Sequence, residues 1–106
     1  MLLRNYIGSE IRRARVDKDM TLRSMAIVSN VTMSYISEVE RGLKEPSSEV
    51  LRSLCTALDY PVSSLLTEVS SKMLIHEIEL ELKLGSYPTS IKYSKVIQDG
   101  GLTTVG

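Results

Sequence analysis

The 106-residue chain has no tryptophan and no phenylalanine, one cysteine and one histidine. With five tyrosines as its only aromatics, a binder of single strands built on stacked rings is not expected. A single cysteine, Cys55, excludes an intramolecular disulfide. Cys55 and His76 together fall short of the ligands a structural zinc site needs, and their spacing offers no nucleophile–base pair. Neither a metal, another cofactor nor catalysis is therefore expected. Cys55 reads as a small core residue and His76 as a partly exposed helix residue. Long hydrophobic runs are missing, so no membrane span is expected. The start, Met1-Leu2-Leu3-Arg4, lacks a basic region followed by an apolar stretch, so no signal peptide is read there and a cytoplasmic protein is expected. An excess of one charge is missing too. Thirteen Lys and Arg face thirteen Asp and Glu, for a formal net charge of zero. That argues against a general basic clamp for nucleic acid but leaves room for a local basic surface.

What is present is enough chain for one domain, with 42% hydrophobic residues to form a modest core. Punctuation divides it. Leu3, Ile7, Ile11 and Ala14 recur at helical spacing and predict a first helix ending near Lys18. Thr21 is placed as N-cap of a second helix, 22–28, whose apolar face is Leu22, Met25 and Ala26. Ser29-Asn30-Val31 is long enough only for a tight corner. Thr32 caps a third helix, 33–41, with Ile36 and Val39 inward, and Gly42 stops it. Ser47 caps a fourth, carrying Leu51, Leu54, Cys55 and Leu58, which Pro61 ends. A short fifth helix carries Leu65, Leu66 and Val69. Residues 70–84 read two ways. Ile78 to Leu84 alternate as a strand would, whereas Leu74, Ile75, Ile78 and Leu82 make a helical stripe of good helix formers. The balance favours helix. Gly85 and Pro88 end it, and the tail to Gly106 is expected to be mobile, with a β-prone piece around 91–97.

Two short helices joined by a three-residue corner form a helix-turn-helix. Ala26 is small where the helices cross, and Asn30 tolerates the positive φ a corner needs. Val31 fills the corner, while Ile36 and Val39 bury the inner face. That leaves Met33, Ser34, Ser37 and Glu38 facing outward, where such a helix meets base edges in the major groove. Met33 suits a thymine methyl or a sugar, Ser34 several bases, and Glu38 cytosine N4. These three are the candidate base contacts. Tyr35 and Ser37 are candidates for phosphate. The amides that open the second helix after Thr21, beginning with Leu22, form an anion site. Arg23, Arg41 and Lys44 are placed to reach phosphates as well.

Residues 7–66 resemble the Cro/C1-type (XRE) helix-turn-helix repressors. The resemblance rests on Ile7-Gly8, Arg15, Thr21-Leu22, Met25-Ala26, Val31-Thr32, Tyr35-Ile36-Ser37, Glu40-Arg41-Gly42 and Pro46-Ser47. The stretch from Ser34 to Glu49 is similar to the Clp-gene regulators of actinobacteria. The family usually has Gly at the corner where this chain has Asn30. The resemblance implies an all-α, five-helix, lambda-repressor-like domain and an ion pair between Arg15 on the first helix and Glu40 on the third. It also implies a C-terminal dimerisation segment, a sixth helix. The sequence agrees that a five-helix domain has its core already, so Leu74, Ile75, Ile78 and Leu82 need a partner and are the candidate dimer interface.

The expected organisation is a DNA-binding domain over 1–68, a dimerisation segment over 69–84 and a flexible tail over 85–106. The expected function is a homodimeric transcriptional regulator on an inverted-repeat operator in double-stranded DNA, controlling Clp protease or stress genes. RNA polymerase is a further expected partner; no membrane or small-molecule ligand is. The alternatives are a phage-type repressor, an antitoxin, or a protein-interaction module that has lost DNA binding.

Overall fold

Helix punctuation in the sequence becomes geometry in the computed structural model, which describes residues 1–85. Five helices follow one another: α1 Leu3–Asp17, α2 Leu22–Ser29, α3 Met33–Glu40, α4 Ser48–Ala57 and α5 Val62–Leu84. No strand occurs among the described residues, so the fold is all-α. Three hydroxyl caps start the middle helices. Thr21 Oγ1 accepts the Ser24 amide at 3.0 Å, Thr32 Oγ1 the Tyr35 amide at 3.2 Å and Ser47 Oγ the Val50 amide at 3.1 Å.

Helix ends share a second device. Asp19, Asn30 and Asp59 all hold positive φ, at 56, 59 and 49°, and Gly42 holds 73°. After Asp19, Gly42 and Asp59 the next amide reaches back five residues: Met20 to Arg15, Leu43 to Glu38 and Tyr60 to Cys55. These are the closing bonds of the left-handed C-terminal motif, in which Gly is usual and short polar residues are tolerated.

The last helix differs from expectation. A short fifth helix followed by a separate sixth is instead one continuous element, Val62–Leu84. Nothing between Val69 and Leu84 breaks a helix. Ser70-Ser71-Lys72 contains neither Gly nor Pro, and the alternating Glu and Leu residues are good helix formers. The strand signal at 78–84 therefore does not prevail. The chain forms two units, Met1–Lys72 and Met73 onward. The described part of the second is the C-terminal stretch of α5. There Leu74 and Ile78 are half-buried, and Ile75 and Leu82 exposed. The flexible tail and its β-prone piece lie outside the described residues, from 86 on.

The core of the first unit is made by Ile7, Ile11 and Ala14 of α1, Met25 of α2, Ile36 and Val39 of α3, and Leu54 and Cys55 of α4. Leu58, with Leu65 and Val69 of α5, completes it. Helix α3 packs on both α1 and α2. Gly8 allows the first contact. A methyl group there would run into the Val39 carbonyl oxygen, so only glycine lets α1 lie this close to α3.

One charge belongs to this core. Glu10 is fully buried, yet every hydrogen-bonding partner it needs is at hand. Arg13, one turn along α1, donates to both carboxylate oxygens. The Tyr60 hydroxyl donates to Oε2 at 2.9 Å, and Lys72 Nζ of α5 to Oε1 at 2.8 Å. The carboxylate thus joins α1, the α4–α5 corner and α5. Burial pushes its pKa up, but the hydrogen bonds from Arg13, Lys72 and Tyr60 outweigh that and bring it from 4.5 down to about 2.

A depressed carboxylate pKa stabilises the fold at pH values above the unfolded pKa, and that stability is lost as pH falls through the folded one. Because the partner cations are half-exposed, the contribution is about 2–3 kcal/mol. Urea unfolding between pH 6 and pH 2, compared for the natural chain and Glu10→Gln, checks this. The natural chain should lose most of that difference below pH 4.5. The variant should be weaker by about 2–3 kcal/mol at pH 6 and converge on it at pH 2.

Candidate nucleic-acid interface

Helices α2 and α3 meet at a corner built from three residues. Asn30 sits in the left-handed region (φ 59°, ψ 31°), and its amide still donates to the Ala26 carbonyl. Ser29, nearly buried, accepts the Val31 amide on its hydroxyl at 3.2 Å. That bond, which sequence reasoning did not anticipate, ties the corner to the end of α2.

The inner face of α3 is fixed by Ile36 and Val39, both fully buried. A second fixture holds its C-terminal end. Arg15 of α1 makes a bidentate pair with Glu40, Nε to Oε2 at 2.7 Å and Nη2 to Oε1 at 3.0 Å. Its third nitrogen, Nη1, donates to the Met20 carbonyl at 2.7 Å, an acceptor that sequence spacing had not suggested. Only 12% of the Arg15 side chain and 4% of the Glu40 side chain remain exposed. The hydrogen bonds from Arg15 to Glu40 hold the guanidinium further above its ordinary pKa.

The opposite face of α3 is open. Met33 and Ser34 are exposed at its first turn; Tyr35, Ser37 and Glu38 are half-buried. Glu38 thus presents less of itself than an outward-facing position suggested. Thr21 and Arg23 are exposed at the start of α2, with Leu22 half-buried between them. Thr21 takes the Ser24 amide on its hydroxyl and the Met25 amide on its carbonyl, leaving the amides of Leu22 and Arg23 outside the helical ladder. Such a pair of amides at the positive end of a helix suits an anionic oxygen.

Beyond α3, Arg41 and Lys44 are exposed. The Arg41 Nε lies 3.4 Å from the Ser37 carbonyl, and Lys44 Nζ stands over the Tyr35 ring. Arg4 of α1 donates to the Gly42 carbonyl at 3.0 Å and so braces the turn that carries them. No group of side chains that could hold a metal ion occurs among the described residues. The face combines cations, helix-opening amides and short polar side chains, which is the chemistry that binds a phosphate backbone and reads base edges.

The Arg15–Glu40 pair yields a stability test. Glu40→Ala should cost about 3–5 kcal/mol, because it strands a largely buried guanidinium. Replacing both partners together, Arg15→Met with Glu40→Leu, should recover most of that loss. Chemical denaturation of the three variants measures both effects; equal losses in the single and double variants would show that the pair itself is not what matters.

Comparison with known proteins agrees with the fold. Residues 11–65, just over half of the chain, match a helix-turn-helix family. The transcriptional regulator ClgR of Mycobacterium tuberculosis is 42% identical over 76 residues, covering 72% of this chain and 68% of that protein. The crystal structure of the clp gene regulator ClgR from Corynebacterium glutamicum aligns with a TM-score of 0.71 at 42% identity, over 78% of this chain and 88% of that one. The restriction-modification controller protein C.Esp1396I, solved as a tetramer in complex with its natural 35 base-pair operator, gives 0.58 at 25% identity, over 65% of this chain and 96% of that one. These relatives are regulators rather than enzymes. With the helix pair, its buried lock and these matches together, the chain belongs to the helix-turn-helix family of transcriptional regulators, of the Cro/C1 (XRE) type.

Proposed function

We propose that the protein binds an inverted-repeat operator in double-stranded DNA as a homodimer, and that its targets include Clp protease or stress genes. The observation that carries this reading is the open N-terminal half of α3, presented by a helix whose other face is locked to α1 through Arg15 and Glu40. A helix so held can enter a major groove without losing its own packing. In this reading Met33, Ser34 and Glu38 meet base edges. Thr21, Leu22, Arg23, Tyr35, Ser37, Arg41 and Lys44 engage phosphates through side chains or amides.

One such helix reads too few base pairs to select a site. Two copies on a twofold axis read half-sites about 10–10.5 base pairs apart. The apolar residues Leu74, Ile75, Ile78 and Leu82 on α5 are the proposed seam between copies. The assembly of the controller protein with its operator supports an oligomer on DNA, and the likeness to ClgR supports a role at clp genes. Activation or repression then follows from where the bound dimer lies relative to RNA polymerase.

Selection from a randomised duplex pool, followed by a salt series on the selected site, tests the proposal. Three cations per subunit on the proposed face predict log Kd changing with log salt by a slope of magnitude about 5. The recovered site should be palindromic. Sedimentation of the full chain against a 1–72 truncation, which keeps Val69 in the core and Lys72 on Glu10, should show a dimer and a monomer respectively. Absence of any selected duplex would instead favour a protein-interaction module.

A further inference from the structure

Tyr35 and Lys44 lie nine positions apart in sequence, yet the Lys44 ammonium stands 5.4 Å from the centre of the Tyr35 ring. The return of the chain explains the contact. Just beyond α3 the chain turns at Gly42, φ 73°, where the Gly42 amide donates to the Val39 carbonyl and the Leu43 amide to the Glu38 carbonyl. This left-handed closure folds the segment after α3 back along the helix. Gly42 itself is buried, and a side chain there would strike the Asn5 carboxamide. The return path is therefore fixed by backbone and packing rather than by the lysine.

A cation over an aromatic face is attracted by the ring's negative quadrupole. The face occupies one side of the ammonium, whose three N–H donors are not all needed there. A free lysine samples many rotamers, and freezing it on a phosphate opposes binding. A ring that already holds the ammonium reduces that opposition. Tyr35 is half-buried on α3, so the ring is itself held, while Lys44 is exposed to solvent.

We propose that Tyr35 is a positioning residue whose ring, and not its hydroxyl, holds the Lys44 ammonium ready for a backbone phosphate of double-stranded DNA. The proposal rests on the DNA-binding reading above and changes the role of Tyr35 within it: the contact to phosphate is made by lysine, and tyrosine acts through it. Glycine at position 42 then serves the site indirectly, by bringing Lys44 back over the ring.

The test is a double-mutant cycle on the full chain, using a mixed-sequence duplex of about 20–30 base pairs, long enough for two half-sites. The natural chain is measured first, and failure to bind this duplex or any selected one removes the DNA reading and this proposal together. Given binding, Tyr35→Leu should weaken it about two- to fivefold, Lys44→Ala at least as much, and the double variant no more than Lys44→Ala alone. Tyr35→Phe, which keeps the ring, should lose clearly less than Tyr35→Leu. If Tyr35→Phe loses as much as Tyr35→Leu, the hydroxyl makes the contact. If the two losses multiply, the residues act independently. Either result overturns the positioning role while leaving DNA binding intact. A readout without DNA covers the case in which Tyr35→Leu folds poorly. The ε-methylene protons of Lys44 should be shifted upfield by the ring in the natural chain and in Tyr35→Phe. Unshifted protons in both would overturn the proposal.

Discussion

Between α1 and α3 stand two constraints of opposite kinds, and the candidate interface depends on both. One is steric: Gly8 offers no side chain, so the Val39 carbonyl can approach the first helix. The other is electrostatic: Arg15 clasps Glu40 with two hydrogen bonds and spends its third nitrogen on the Met20 carbonyl. The glycine sets how near α3 comes, and the ion pair resists rotation of its C-terminal end. A bidentate pair has a defined plane and so transmits orientation as well as attraction. The open face of α3 is a consequence of what holds the other face.

The neutral charge balance takes on a narrower meaning in this light. Residues 1–66 carry nine Lys and Arg against eight Asp and Glu, so the domain as a whole is not a general basic clamp. Several of the charges are already engaged within the fold. Arg13 and Lys72 neutralise buried Glu10, Arg15 is paired with Glu40, and Arg4 braces Gly42. What remains exposed around α3 is a small positional set, Arg23, Arg41 and Lys44. Placement then matters more than net charge, which is the condition under which a neutral chain can prefer particular DNA sites.

Much of this was legible in the sequence because local chemistry and tertiary packing agree. Thr21, Thr32 and Ser47 each sit three residues before the amide they cap, and Asn30 occupies the one corner position that needs positive φ. The α5 junction is less legible. The eye divides 62–84 where the hydrophobic pattern changes, but a helix continues wherever nothing stops it, and Ser70 to Lys72 do not. The role of Glu10 is only partly legible in its spacing. It falls on the same face as Ile7, Ile11 and Ala14, where a charge is out of place unless partnered. Its partners Tyr60 and Lys72 are fifty and sixty-two residues away, so only the folded chain brings them together. The Lys44–Tyr35 contact was illegible for a similar reason, since it depends on a chain reversal rather than on a helical repeat.

In the proposed function the α2–α3 pair presents one contiguous face to duplex DNA. Amide chemical-shift mapping, with a duplex selected by the protein itself added to the labelled full chain, addresses it most directly. The largest changes are expected at residues 21–23, 32–38 and 41–44, with the buried middle of α1 around Gly8 little affected. Large changes confined to α1 and α4, with residues 32–38 unmoved, would contradict it.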